Sequence, residues 1–316
     1  MQHYRNKVAI IGAGQVGSSF AYALMISGLV HEMVLIDINE KRAQGEAMDL
    51  NHGLSFTDPS RIYAGGYSEC AGADVIVITA GANQEPGQTR LDLVQKNTRI
   101  FRSILDSITP HLKDDAIILV VTNPVDVLTC FTIKYTGLPS SRVFGSGTVL
   151  DSSRFRYLLS QHCEIDPRNV HAYIIGEHGD SEVPLWSSTN IAGVPIHDYC
   201  PVCLKSCNSE VELNRIFENV KNAAYQIIDA KGSTYYAIGL AVVRIVRAIL
   251  RDENAVLPVS VLLEDYYGIS DVCLSIPSII NRKGFRQVLP LRMSDKEIED
   301  LRRSADVLKE MAESIE

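Results

Sequence analysis

Three side chains in the second half of the sequence could together move a proton and hold a carboxylate: His178, Asp151 and Arg154. His178 stands in Ile175-Gly176-Glu177-His178-Gly179-Asp180-Ser181, at the end of an apolar run, His171 to Ile175, that reads as a strand. Histidine changes charge nearest to neutral pH, which makes it the commonest general acid or base. Gly176 and Gly179 put little side-chain bulk beside it. That suits an imidazole that meets a ligand, although a tight turn with an incidental histidine has the same composition. Asp151 and Arg154 are three residues apart, so a helix opening near Leu150 would carry them on one face. A surface ion pair is the plain reading of that spacing. The chemical reading has Asp151 orient the His178 imidazole and Arg154 grip a substrate carboxylate through two parallel hydrogen bonds.

A second set of residues is suited to phosphate. Gly12-Ala13-Gly14-Gln15-Val16-Gly17 follows the apolar run Val8-Ala9-Ile10-Ile11 and opens a helical pattern reaching about Ser27. Gly12 permits the tight turn, Gly14 lets the backbone approach a pyrophosphate, and Gly17 lets helix and strand pack closely. The helix N-terminus then offers unpaired N–H groups and a positive dipole end. A second strand, Met33 to Ile36, ends in Asp37, twenty residues after Gly17. A carboxylate there meets ribose hydroxyls and repels a 2′-phosphate, so the pattern predicts NAD rather than NADP. The alternative is a glycine-rich turn in some other α/β protein.

These residues need a frame, and the hydrophobic pattern supplies one. Asp74 to Thr79 reads as a third strand, Leu91 to Leu112 as a helix, Ala116 to Val121 as a fourth strand and Val143 to Gly147 as a fifth. Strand–helix alternation of this kind predicts an α/β fold with a doubly wound parallel Rossmann sheet. Ligands of such sheets lie beyond the carboxyl ends of the strands, so Gly12 to Gly17, Asp37, Gly81-Ala82 and Asn123 should converge on one crevice. Asn123-Pro124 is a candidate cis peptide bond. Gly81 to Arg90 is a polar loop at a strand's carboxyl end, either an active-site lid or a surface loop with a solvated arginine. After Gly147, helices over Glu212–Ala230, Tyr235–Arg251 and Lys296–Glu313 and antiparallel strands over Val256–Leu263, Val272–Ile280 and Gly284–Leu289 predict a second, α+β substrate domain. The division expected is residues 1–146 and 147–316, blurred if the helix after Thr234 packs back on the first unit.

At 316 residues the chain has room for two such units. Its net charge of −8 argues against nucleic acid and anionic membrane as main partners. No apolar run approaches the roughly 20 residues of a membrane helix, and the polar start, Met1 to Lys7, has no signal-peptide pattern. Seven cysteines, an odd number in a chain too large to need staples, point to reduced thiols and a cytoplasmic protein.

Taken together, Gly12 to Gly17, Asp37, Gly81 to Arg90, Thr122-Asn123-Pro124-Val125-Asp126, Leu150 to Arg156, Ile175 to Ser181 and Lys231-Gly232-Ser233-Thr234 resemble the L-lactate/malate dehydrogenase family, and within it the L-lactate dehydrogenases. The resemblance spans essentially the whole chain, in family order. It implies an NAD-dependent enzyme of glycolysis and fermentation that interconverts L-lactate and pyruvate, with His178 as general acid and base and Asp151 fixing its tautomer. It implies that Arg154 clamps the substrate carboxylate, that Arg90 moves with its loop to polarise the carbonyl, that Asn123 bonds the substrate hydroxyl or the nicotinamide side, and that Thr234 lines the small end of the pocket. For the cofactor it implies contacts from Gly12, Gly14, Val16, Gly17, Asp37, Arg42, Tyr67, Gly81, Ala82, Ser103, Val121, Asn123 and Ser146. No metal is implied.

Gln84 bears on the substrate. Malate-using relatives carry arginine at this position, paired with the second carboxylate; a neutral glutamine leaves that charge unpaired, which is costly and favours pyruvate over oxaloacetate. Malate dehydrogenase, a non-catalytic dinucleotide-binding protein and an NAD-dependent glycosidase on a related fold are the competing readings. Arg156 and His171 look like the effector pair of bacterial relatives activated by fructose 1,6-bisphosphate. Two bases at a subunit interface would repel until a bisphosphate bridges them; otherwise they are a surface arginine and a strand histidine. A homotetramer, a dimer of dimers, goes with that reading, and the sequence has no long N-terminal arm to clasp it. His197, Cys200, Cys203 and Cys207 are spaced as zinc ligands could be, but they share one short segment, so surface-loop thiols are the expectation. Trp186 is expected to serve packing.

Overall fold

The computed structural model describes residues 6–82, 90–199 and 210–313. Its first half runs β1 (Lys7–Ile11), α1 (Gln15–Ser27), β2 (Glu32–Ile36), α2 (Glu40–His52), β3 (Arg61–Ala64), β4 (Val75–Ile78), α3 (Arg90–Ile108), β5 (Ile117–Val120), α4 (Val125–Thr136) and β6 (Val143–Gly145). These strands lie parallel in the order β6-β5-β4-β1-β2-β3. The chain winds outward from β1 in one direction and from β4 in the other, so the sheet is doubly wound, with its switch point between β1 and β4. β4 and β5 are buried at every position, as strands covered on both faces must be. β3 has no counterpart in the hydrophobic pattern. It is the edge strand, only Ile62 of its four residues is fully buried, and the apolar run that marks its neighbours is missing.

The second half runs α5 (Val149–Cys163), β7 (Val170–His171), β8 (Ile174–Ile175), β9 (Val183–Pro184), β10 (Asn190–Ile191), β11 (Val194–Pro195), α6 (Ile196–Tyr199), α7 (Glu210–Lys231), α8 (Tyr236–Leu250), β12 (Ala255–Leu262), β13 (Cys273–Asn281), β14 (Gly284–Val288) and α9 (Asp295–Glu313). The single strand expected over His171 to Ile175 is two. β7 pairs with β10 and β8 with β9, and between them the Ala172 carbonyl accepts from the Arg156 side chain. The antiparallel strands β12, β13 and β14 do not form a sheet of their own. They extend the parallel sheet from β6, through the pair Ser260 and Gly145, to nine strands. α8 also lies on α1, where a Cβ on Gly239 would stand 3.1 Å from the Ser19 carbonyl carbon. The two halves of the sequence thus share one sheet, and their helices also meet, α8 on α1 and α9 on α4.

Three apolar clusters hold these layers. One carries Val8, Ile10, Phe20, Leu24, Val242 and Val246 between the sheet, α1 and α8. A second, on the opposite face, carries Ile76, Ile78, Phe101, Leu105 and Leu128 against α3 and α4. The third joins Phe155, Leu159, Val170, Ile191, Ile216 and Val220 between α5, α7 and the small strands. Burying each such side chain contributes about 1.5–3 kcal/mol. Trp186 packs its edge on Phe155 with ring centroids 4.8 Å apart, so its role is packing. No helix among the described residues is long and apolar enough to cross a membrane.

Candidate active site

The glycine loop after β1 is shaped by what its neighbours leave no room for. Gly12 has φ +102°, and a Cβ there would lie 2.6 Å from the Ala80 nitrogen. A Cβ on Gly17 would lie 1.9 Å from the Gly12 carbonyl oxygen, so helix and loop meet only without one. Around Gly14 nothing stands within 4 Å. This is an open cradle at the N-terminus of α1, with Val16 in its first turn. Asp37 closes the loop from the end of β2: one carboxylate oxygen accepts the Ala13 N–H at 2.7 Å and the other the Asn39 N–H at 2.8 Å. Beside it a crevice of about 400 Å³ is lined by Asp37, Ile38, Gly65, Gly66 and Tyr67. Burial and the Asp37 charge push the Tyr67 phenol upward, so it stays a neutral, stackable ring. Open cradle, helix terminus and carboxylate-edged crevice fit an adenosine diphosphate unit.

Around the switch point, Gly81 and Ala82 follow β4, Val121 and Asn123 follow β5, and Ser146 follows β6. Asn97 of α3 ties these ends together. Its side chain is fully buried, its carbonyl accepts the Ala82 N–H at 2.7 Å, and its amide donates to the Asn123 carbonyl at 2.8 Å. Neither glycine spacing nor strand pattern marks it, since a lone polar residue inside a helical repeat has no signature. The Asn123-Pro124 bond is cis. Arg42, in the first turn of α2, and Ser103, on α3, are exposed, and Arg42 does not line the crevice beside Asp37. The Ser233 hydroxyl bonds Gln15, which holds the segment carrying Thr234 over the first turn of α1.

His178, Asp151 and Arg154 come together. Asp151, on the buried face of α5, accepts from the His178 ring nitrogen Nδ1 through one oxygen at 2.5 Å and from the Arg154 guanidinium through the other at 2.7 Å. Asp151 is 3% exposed, and the His178 side chain keeps 25% of its surface open. Burial opposes the imidazolium, but the Asp151 charge and hydrogen bond, with Asp126 and Glu182 behind them, outweigh it and raise His178 to about 9. Burial likewise opposes the Asp151 carboxylate, and the two cations overcome it, holding Asp151 below the usual carboxylate range. His178 is therefore a charged proton donor at neutral pH, with Nε2 as the nitrogen not engaged by Asp151.

The turn bearing His178 is braced from three sides. Gly176 has φ +89° and bridges Ser275 of β13 with bonds of 2.9 and 3.0 Å; the Glu177 N–H donates to the Ser304 hydroxyl at 2.7 Å; and the His178 N–H donates to Asp126 of α4 at 2.8 Å. Gly176 thus serves backbone conformation and close packing. A Cβ there would meet the Ser304 hydroxyl at 2.8 Å, so this glycine does not open space for a ligand. Glu182 completes the cluster. It is buried, and burial together with the Asp151 charge raises it to about 8. Gln84, the rest of the loop 83–89, and the Arg90 side chain lie outside the described residues, as do Cys200, Cys203 and Cys207; His197 is exposed on α6.

A dinucleotide cradle at the switch point of a doubly wound sheet, with an imidazolium–carboxylate–guanidinium set beside it, defines an NAD-dependent oxidoreductase. Comparison with known proteins narrows the class. The family model for the NAD-binding domain of lactate/malate dehydrogenases matches residues 6–145, and that for their α/β C-terminal domain matches residues 148–316. An L-lactate dehydrogenase of Acetivibrio thermocellus is 56% identical over 98% of this chain and 97% of its own length. L-lactate dehydrogenase 1 of Clostridium acetobutylicum is 52% identical over 98% of each. Among solved structures, the ligand-bound minor L-lactate dehydrogenase of Enterococcus mundtii superposes with a TM-score of 0.94 at 44% identity, over 98% of both chains. The chain belongs to the lactate/malate dehydrogenase family.

Proposed function

We propose that this chain catalyses the NAD-dependent interconversion of L-lactate and pyruvate. The observation that carries the reading is the double engagement of Asp151, which holds a protonated imidazole and a guanidinium side by side at 2.5 and 2.7 Å. NAD, when bound along Gly12 to Gly17 and Asp37, supplies the hydride acceptor or donor. In the reducing direction Arg154 takes the pyruvate carboxylate and His178 gives its Nε2 proton to the carbonyl oxygen as that oxygen becomes a hydroxyl. Asp151 keeps the proton of Nδ1 in place, so only the outer nitrogen exchanges. A positioned histidine of this kind contributes on the order of 10²–10⁴-fold. Arg90 polarises the carbonyl, and Asn123 and Thr234 complete the substrate pocket.

Supporting the choice of pyruvate over oxaloacetate are Gln84, which brings no second cation, and the names of the similar proteins. Arg156 donates to the Ala172 carbonyl at 2.9 Å beside exposed His171, and its guanidinium lies 4.9 Å from the Tyr173 ring centroid. That pairing supports a basic site for fructose 1,6-bisphosphate, and the same reading makes the enzyme a cytoplasmic homotetramer. A division into residues 1–146 and 147–316 agrees with where the two family models meet. One rate series tests the whole reading: NADH oxidation with pyruvate against oxaloacetate, each with and without the bisphosphate. Pyruvate is expected to be preferred by orders of magnitude, with the bisphosphate lowering the pyruvate KM. Equal rates with both acids would overturn the substrate, and unchanged kinetics would overturn the effector.

A further inference from the structure

Beside Asp126, which anchors the His178 turn, a cavity of about 270 Å³ opens between α4, β13 and α9. Two cysteines line it, Cys130 of α4 and Cys273 of β13, both free and both buried, at 7% and 1% exposure. Both thiols line this one cavity, and each perturbs the other's ionisation across the α4–β13 contact. Lys134, one helical turn beyond Cys130, and Lys309 of α9 line the same cavity, as do Asp271 and Asp126. A close pair of thiols beside two ammonium groups and reachable through a cavity has the makings of a reactive dithiol.

We propose that Cys130 and Cys273 form a redox-active dithiol, which a hydroperoxide entering this cavity converts to a disulfide that slows the enzyme through the two supports of the His178 turn. The Cys130 thiolate attacks one peroxide oxygen. The O–O bond breaks, hydroxide leaves, and Cys130 becomes a sulfenic acid. The Cys273 sulfur then attacks the Cys130 sulfur, forming the S–S bond and expelling water with the proton it gives up. Overall two thiols are oxidised and one hydrogen peroxide is reduced to two waters. The order of attack follows from the charges. Lys134 lines the cavity one helical turn from Cys130, the more exposed of the two at 7% against 1%, whereas burial pushes the Cys273 thiol well up.

The coupling to the site is structural. Cys130 lies one turn after Asp126, the acceptor for the His178 N–H. Cys273 lies two residues before Ser275, the bridge partner of Gly176. Drawing the two sulfurs into covalent contact pulls α4 and β13 together and so shifts both anchors of the turn. A misplacement of the acid by about an ångström costs on the order of 10²-fold; a partial shift is expected to cost about tenfold.

The test treats the full-length enzyme with small excesses of hydrogen peroxide, alkylates the remaining thiols after denaturation, and maps peptides by mass without reduction. A Cys130–Cys273 linked peptide, two hydrogen masses lighter than its reduced parts, is expected to accumulate as the rate with pyruvate falls, and dithiothreitol is expected to reverse both. In Cys273→Ser, Cys130 should instead run on to sulfinic acid and no linked peptide should form. Full alkylation of both cysteines after peroxide treatment overturns the dithiol. A linked peptide that forms with no change in rate overturns the coupling. The peptide readout needs no activity, so it stands apart from the assignment of pyruvate as substrate.

Discussion

Asp126 accepts the main-chain N–H of His178 at 2.8 Å, bringing the first turn of α4 onto the turn that carries the acid. The other carboxylate at this histidine, Asp151, takes the ring. One residue is therefore held twice, backbone by Asp126 and imidazole by Asp151. Asp126→Ala removes the backbone acceptor and leaves a partly buried N–H unpaired, which costs about 1–3 kcal/mol. The expected result is a lower Tm together with a kcat reduced about tenfold, while Asp126→Asn, which keeps an accepting oxygen, retains most of both. A thermal melt and initial rates on the two variants check it. Equal losses in both would show that the charge of Asp126, and not its bond, is what counts.

Asp151→Asn is expected to move the alkaline limb of pyruvate reduction. The reduction needs the imidazolium, and Asp151 is the main group that raises His178 to about 9. In the parent, kcat/KM should therefore fall as pH rises through about 9, and in the variant, where burial still opposes the imidazolium, the fall should begin at or below the ordinary histidine value of about 6.5. Stability follows the same sign. A histidine raised in the folded state contributes stability that is fully present below its unfolded value and lost as pH rises through about 9. The pH profile of kcat/KM, which reports the free enzyme, is the measurement.

Gly14 and Gly17 should separate fold from cofactor. A Cβ on Gly14 meets nothing, whereas one on Gly17 lies 1.9 Å from the Gly12 oxygen. Gly14→Ala is expected to melt like the parent and to bind NADH at least tenfold more weakly, because the methyl occupies the open cradle. Gly17→Ala is expected to lose Tm first, since backbone must move to admit it. Paired melts with and without NADH distinguish the two.

Much of this site is legible in the sequence, because its parts are local. The glycine spacing, the acid twenty residues on, and the Asp151–Arg154 helical pair each sit within one element or one loop. The bracing residues cannot be read that way. Asp126, Ser275 and Ser304 meet the His178 turn from α4, β13 and α9, and nothing local marks an aspartate or serine as a partner for backbone far along the chain. Gly176 misleads for the same reason. Its neighbour Ser304 lies 128 positions away in the numbering, so the glycine reads as free space when it is a close contact. β3 is missed because an edge strand needs no apolar run, and the nine-stranded sheet because antiparallel alternation does not say which edge a strand will join.

Glu182 provides a test of the buried charge balance. Burial and the Asp151 charge raise it to about 8, against an ordinary 4.5, so the folded protein keeps its proton over a range in which the unfolded chain has released it. Between those values the folded state binds more protons, and stability must fall as pH rises. Glutamine reproduces the shape of the protonated acid without titrating. Glu182→Gln is therefore expected to match the parent near pH 4.5 and to exceed it in Tm by a margin that widens toward pH 8. Its kcat/KM for pyruvate at neutral pH should stay within about twofold, because both side chains are uncharged there, a difference under about 0.5 kcal/mol in transition-state terms. At alkaline pH the variant should lose rate earlier, since an ionised Glu182 helps hold the proton on His178. Melting curves and rates across that range measure both effects. A parent and variant whose Tm values run parallel from pH 4.5 to 8 would mean that Glu182 is ionised throughout, with a cation neutralising it inside the fold.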